Sequence, residues 1–185
     1  YLPWLSLVGL VAVLALSLRY LWGKETDLYD GLFLIDNFAL FFKGFFLVLG
    51  GLVVLSSVEY VRKHLSHPGE YYGILLLSIL AMMLMAASGE LLTAYIALEL
   101  LSFTLYVLVS FARDNPKSNE AGVKYILLGA FASALLLYGI SMVYGALGTT
   151  TFAGIGLAMG SGLDASPNLL IGIVLILAGL GFKVA

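Results

Sequence analysis

Residues 91–111 read LLTAYIALELLSFTLYVLVSF. Twenty-one residues at 1.5 Å each make a helix of about 30 Å, the thickness of a bilayer's hydrocarbon core. The stretch holds one ionisable group, Glu99. It lies eight residues in, about 12 Å deep at the helical rise. Tyr95, Glu99, Ser102 and Tyr106 follow i, i+4, i+7, i+11 spacing, so they share one face. The other positions are mainly Leu, Ile, Ala, Phe and Val. A single polar stripe on such a helix points into the protein and away from lipid.

The rest of the chain repeats the pattern. Of 185 residues, 62% are hydrophobic and 11% charged, where a soluble domain carries about 25% charged residues. The mean hydropathy is +1.06. Six segments are apolar enough to span: 2–21, 32–58, 72–87, 91–111, 121–144 and 168–185. The fold class is therefore all-α, a polytopic bundle of transmembrane helices. The tight turn 88–90 joins the third and fourth as antiparallel neighbours. The first segment has no charged n-region or cleavage site and reads as a span, not a signal peptide. The chain opens on Tyr1 and closes inside an apolar run, so it is expected to be a piece of something longer.

The loops form two sets. One, 19–31, 88–90 and 145–167, has the basic residues Arg19 and Lys24 against Glu25, Asp27 and Asp30. The other, 59–71 and 112–120, has Arg62, Lys63, Arg113 and Lys117. Lys and Arg favour the cytoplasmic side, so the second set is expected there. The apolar run 152–159 is expected to lie as a short helix at the interface.

Several function classes drop out. A net charge of -2 with no basic run gives no nucleic-acid partner. The sequence has no cysteine, which removes disulfides and thiolate-held metal or iron–sulfur centres from these residues. The two histidines, His64 and His67, sit together in a polar loop.

Charges inside the spans carry the functional signal, because each costs several kcal/mol at mid-membrane. Besides Glu99 there is Lys183, about fifteen residues into the last segment and too deep to snorkel back. Gly172, Gly179 and Lys183 share its face. The competing reading puts Lys183 near the far interface. Lys124 lies about one turn inside the fifth segment, where snorkelling explains it as well as function does. Below it Gly129, Ser133, Ser141 and Gly145 suggest a small-residue packing face. Lys43 follows Asp36 near an interface and reads as an anchor. One deep carboxylate and one deep ammonium suggest a pair. In oil-like surroundings the ammonium keeps its proton while the carboxylate stays beside it, and separation favours release. The cost of a bare buried charge, several kcal/mol, exceeds the ~2.3 kcal/mol needed to move one charge against 100 mV. Such a pair could load and release a proton.

The residues around these charges resemble a known family. The stretch YIALELLS at 95–102, then LYVL at 105–108, SNEAGVKY at 118–125, LYGIS at 137–141, Tyr144-Gly145, GTT at 148–150 and GLGFKV at 179–184 resemble the subunit N family of proton-pumping NADH:quinone oxidoreductases. DNFAL at 36–40 is a weaker likeness. The resemblance implies an antiporter-like fold of fourteen helices with two inverted five-helix repeats. The six spans would be family helices two to seven: residues 1–87 as N-terminal helices and 88–185 as the proton-translocating core. It implies that Glu99 pairs with Lys183, and that Lys124 belongs to the proton path. Tyr95, Ser102, Tyr106 and Ser133 would be supporting polar residues. Lys43 matches no motif of that path. The resemblance further implies no cofactor in this chain, with FMN, iron–sulfur clusters and quinone handled by other subunits. Expected partners are the other membrane subunits of complex I, the lipid bilayer and protons. The expected location is a bacterial plasma membrane, or an organellar or thylakoid membrane.

Three rivals stand beside this reading. A multi-subunit cation/proton antiporter shares the fold, and a ferredoxin- or formate-linked relative has similar membrane subunits. Sibling complex I subunits usually carry Trp before the glutamate, where this chain has Leu98. A non-catalytic scaffold would use the charges only to hold helices together.

Overall fold

The computed structural model describes residues 1–160 and 166–184. In chain order it contains α1 (Leu2–Tyr20), β1 (Thr26–Leu28), β2 (Phe33–Ile35), α2 (Asn37–His64), α3 (Pro68–Ala86), α4 (Leu91–Val109), α5 (Pro116–Leu147), α6 (Phe152–Gly160) and α7 (Pro167–Val184). Among the described residues, six helices are long and apolar enough to cross a membrane: all but α6. Their ends have local causes. The Asp36 carboxylate accepts from the Ala39 N–H at 2.7 Å and starts α2. Pro68 and Pro116 open α3 and α5, where a missing N–H costs nothing. Gly148, with φ +70°, closes α5.

Several boundaries differ from the sequence reading. Residues 33–35 are strand and not the start of a span. Tyr29, Asp30 and Gly31 all have positive φ (56°, 57° and 87°) and turn the chain back. Phe33–Ile35 then pairs antiparallel with Thr26–Leu28. The spans also run further than their apolar cores. α2 has 28 residues and α5 has 32, so α5 is about 48 Å long and its charged end projects beyond a ~30 Å core.

Leu10, Leu47, Val54, Val61, Tyr72, Leu75 and Ile79 form a core among α1, α2 and α3. α4 packs against α3 and α5, and α5 packs most extensively on α7. α5 buries Gly122, Gly129, Ala132, Ser133, Leu136, Gly139, Ile140 and Val143. The small-residue face expected at 129, 133, 141 and 145 holds only for its first half, since Ser141 and Gly145 are exposed. Steps of 100° per residue carry positions 141 and 145 round the helix.

The two loop sets lie at opposite ends of the bundle. At one end the hairpin, the α3–α4 turn and the segment after α5 are bonded together. Leu34 N–H donates to Ala87 O (2.7 Å), Gly89 N–H to Leu32 O (2.9 Å), and Phe152 N–H to Gly89 O (3.1 Å). A Cβ on Gly89 would lie 2.0 Å from the Gly31 carbonyl oxygen, so glycine is required there. At the other end Arg113 bridges to Glu70 at 2.6 Å. The short helix expected at 152–159 is present as α6. Residues 161–165 of the connection 145–167 lie outside the described residues.

A buried glutamate–lysine pair as the candidate site

Glycines on two helices set the depth at which α7 meets α5. A Cβ on Gly139 would lie 2.7 Å from the Gly172 carbonyl oxygen. One on Gly179 would lie 2.9 Å from the Ala132 carbonyl oxygen and from Leu136 Cβ. The backbones touch, and the next turn of α7 delivers Lys183 to the same seam. α4 also reaches α5 over glycines, but through side chains. The Tyr106 hydroxyl sits where a Cβ on Gly129 would be, and Ser110 covers Gly122.

Glu99 and Lys183 meet at this three-helix junction. Lys183 Nζ donates to Glu99 Oε1 at 2.6 Å and to Ser102 Oγ at 2.8 Å. Ser133 Oγ donates to the same Glu99 oxygen at 2.6 Å. Ser102 gives its own proton to Leu98 O at 2.8 Å, which leaves its oxygen to accept from the lysine. The pair's side chains are 9% (Lys183) and 17% (Glu99) exposed. A charged pair in such a place is tolerable because both members have further hydrogen bonds. A hollow of about 80 Å³ adjoins it, lined by Ser102, Tyr106, Tyr125, Gly129 and Lys183 among others. At ~30 Å³ per water it has room for two or three. The Tyr106 and Tyr125 rings meet edge-to-face at 4.8 Å across its wall.

Of the residues singled out from the sequence, the structure brings together Glu99, Lys183, Ser102, Ser133 and Tyr106. Tyr95 is half-buried one turn before Glu99. Lys124 stands apart. It pairs with Glu120 at 2.5 Å, and the two side chains are 70% and 62% exposed. Lys43 is half-buried in α2.

One acid was not recognised from sequence. Glu90 is only 9% exposed. Its Oε1 accepts from Thr93 Oγ1 at 2.7 Å and its Oε2 from Thr150 Oγ1 at 2.5 Å. Thr93 three residues on was a readable signal, but the partner sixty residues away was not.

The protein-family model described as "NADH:quinone oxidoreductase/Mrp antiporter, TM" matches residues 88–185, which include α4, α5 and α7 and with them the junction. The chain belongs to this family. Curated members named NADH-quinone oxidoreductase subunit N are similar along nearly its whole length. The one from Desulfitobacterium hafniense is 45% identical over 98% of this chain and 36% of its own length. The one from Trichlorobacter lovleyi is 46% identical over 100% of this chain and 38% of its own. The chain thus spans little more than a third of the relatives it matches. Among solved structures, a chain of respiratory complex I from Thermus thermophilus with bound aureothin superposes with a TM-score of 0.78. It is 32% identical, over 98% of this chain and 38% of that one. A chain of the membrane-bound sulfane sulfur reductase, an archaeal respiratory membrane complex, gives 0.79 at 25% identity, over 97% and 38%. The fold of this family member is therefore the antiporter-like bundle of transmembrane helices.

Proposed function

We propose that the chain is the early part of a membrane subunit of an NADH:quinone oxidoreductase, and that Glu99 and Lys183 act as a proton switch. The observation that carries this is the 2.6 Å contact between an almost buried carboxylate and an almost buried ammonium, each on a different spanning helix. Residues 1–87 serve as N-terminal helices, and 88–185 form the translocating core. The chain does no redox chemistry of its own. Quinone reduction elsewhere in the complex moves α4 and α7 relative to each other. While the pair is closed, Lys183 keeps its proton. Once it opens, the ammonium faces apolar surroundings with fewer partners and gives the proton up. Ser102 and Ser133 hold the two groups in the closed geometry. The partners are the other membrane subunits and the lipid of a bacterial plasma membrane. Lys124 lies on the proton path outside the pair, at the exposed start of α5.

The likeness to the sulfane sulfur reductase chain supports a second reading, a respiratory complex with another acceptor, and the family description, which also names the Mrp antiporter, supports a cation/proton antiporter. The same pair would serve in either.

The test uses the full-length protein in its complex. Glu99→Gln and Lys183→Ala are expected to lower the protons taken up per quinone reduced. Undiminished proton uptake with either variant overturns the switch. Uptake that follows sodium and not quinone favours the antiporter reading.

A further inference from the structure

Glu90 is a buried acid that the switch itself does not use. It sits at the start of α4, nine residues before Glu99 and so about 13.5 Å away along one helix. Burying a carboxylate is costly unless its oxygens are bonded. Here each oxygen takes a hydroxyl, and among the described residues Glu90 has no ion pair. Thr150 belongs to the segment that leaves α5 towards α7. Two backbone bonds flank the carboxylate at the same place: Leu91 N–H to Thr150 O at 2.9 Å and Phe152 N–H to Gly89 O at 3.1 Å. The two helices that carry the switch meet only across the seam between α4 and the α5–α7 pair. That seam is held by glycine contacts at Gly122 and Gly129 over one half and by this carboxylate clasp at the other end. Glu99, Ser133 and Lys183 lie between.

We propose that Glu90 is a positioning residue for the switch: through Thr150 it ties the start of α4 to the α5–α7 unit and sets the alignment of Glu99 against Lys183. This rests on the switch reading given above. Charge-assisted bonds to a carboxylate are roughly twice as strong as neutral ones, so the single Thr150–Glu90 bond adds about as much hold on the loop as the two backbone bonds together. It acts through geometry.

Thr150→Val removes one hydroxyl at nearly constant volume, Thr150→Ser keeps it, and Glu90→Ala removes the carboxylate. All are made in the full-length protein within its complex. Thr150→Val and Glu90→Ala are expected to raise deuterium exchange at the Leu91 and Phe152 amides roughly ten-fold. Both are expected to shift the pH profile of proton uptake, and Thr150→Ser to restore the wild-type exchange and profile. Unchanged exchange overturns the clasp. Raised exchange with an unmoved pH profile overturns the positioning role, since a merely local tie would behave so. If Glu90→Ala does not assemble, the valine–serine comparison at 150 decides alone. A Glu99→Gln control that pumps normally overturns the switch itself. One that fails to pump, beside a Thr150→Val protein with an unmoved profile, overturns only the role of Glu90.

Discussion

A carboxylate removed from beside a buried lysine leaves an orphan charge, and that penalty is larger than the net worth of the intact pair. Glu99→Gln and Lys183→Met should therefore each destabilise the protein by about 3–5 kcal/mol. The double variant should cost less than the sum, because it leaves neither charge alone. Thermal inactivation of the four proteins closes the cycle, and strict additivity would mean that the two groups do not interact. Lys124 should behave differently. Its pair with Glu120 is solvent-exposed, and such pairs contribute about 0–1 kcal/mol. Lys124→Ala should leave the melting temperature nearly unchanged. Any loss of proton uptake in that variant then reports transport and not folding, and full uptake removes Lys124 from the path. Glu99 and Lys183 were legible in the sequence because each stands on an apolar background. Glu90 was not, because a charged residue in a turn is ordinary and only the fold brings Thr150 onto it.

Helices α5 and α7 meet through glycine, and the two kinds of glycine on α5 can be told apart. A Cβ on Gly139 meets backbone atoms of α7 at 2.7 and 2.8 Å, whereas one on Gly145 meets nothing within 4 Å. Backbone cannot step aside as a side chain does. Gly139→Ala should force the helices apart and cost about 1–3 kcal/mol. Gly145→Ala should be neutral or stabilising by up to about 1 kcal/mol, from helix propensity alone. A comparison of thermal stability between the two variants checks this, and equal effects would mean that the close approach at Gly139 is absent. The spans themselves were legible from hydropathy and length. The strand at 33–35 was hidden because its residues, Phe33, Leu34 and Ile35, extend the apolar run of α2. Only the positive-φ turn at 29–31 makes them a hairpin. The packing face of α5 was half-legible, since small residues mark where helices can touch but the 3.6-residue period decides which of them do.

At the scale of the whole molecule, an uneven distribution of basic residues and a set of loop contacts point to the same layout. The hairpin, the α3–α4 turn and the Thr150 segment are bonded to one another, and the α2–α3 and α4–α5 connections are joined by Arg113 and Glu70. The second cluster holds Arg62, Lys63, Arg113 and Lys117, so the charge rule predicts that it faces the cytoplasm. These 185 residues contain no cysteine, so single cysteines introduced here label without background from this region. Replacements at Ser66 and Asn115 should react with a membrane-impermeant maleimide only in inverted vesicles, and replacements at Glu25 and Asp30 only in right-side-out ones. Labelling of all four from one side would break the antiparallel order of the spans. Glu99 and Lys183 would then no longer meet, because their contact needs α4 and α7 to run in the same direction, towards the basic side.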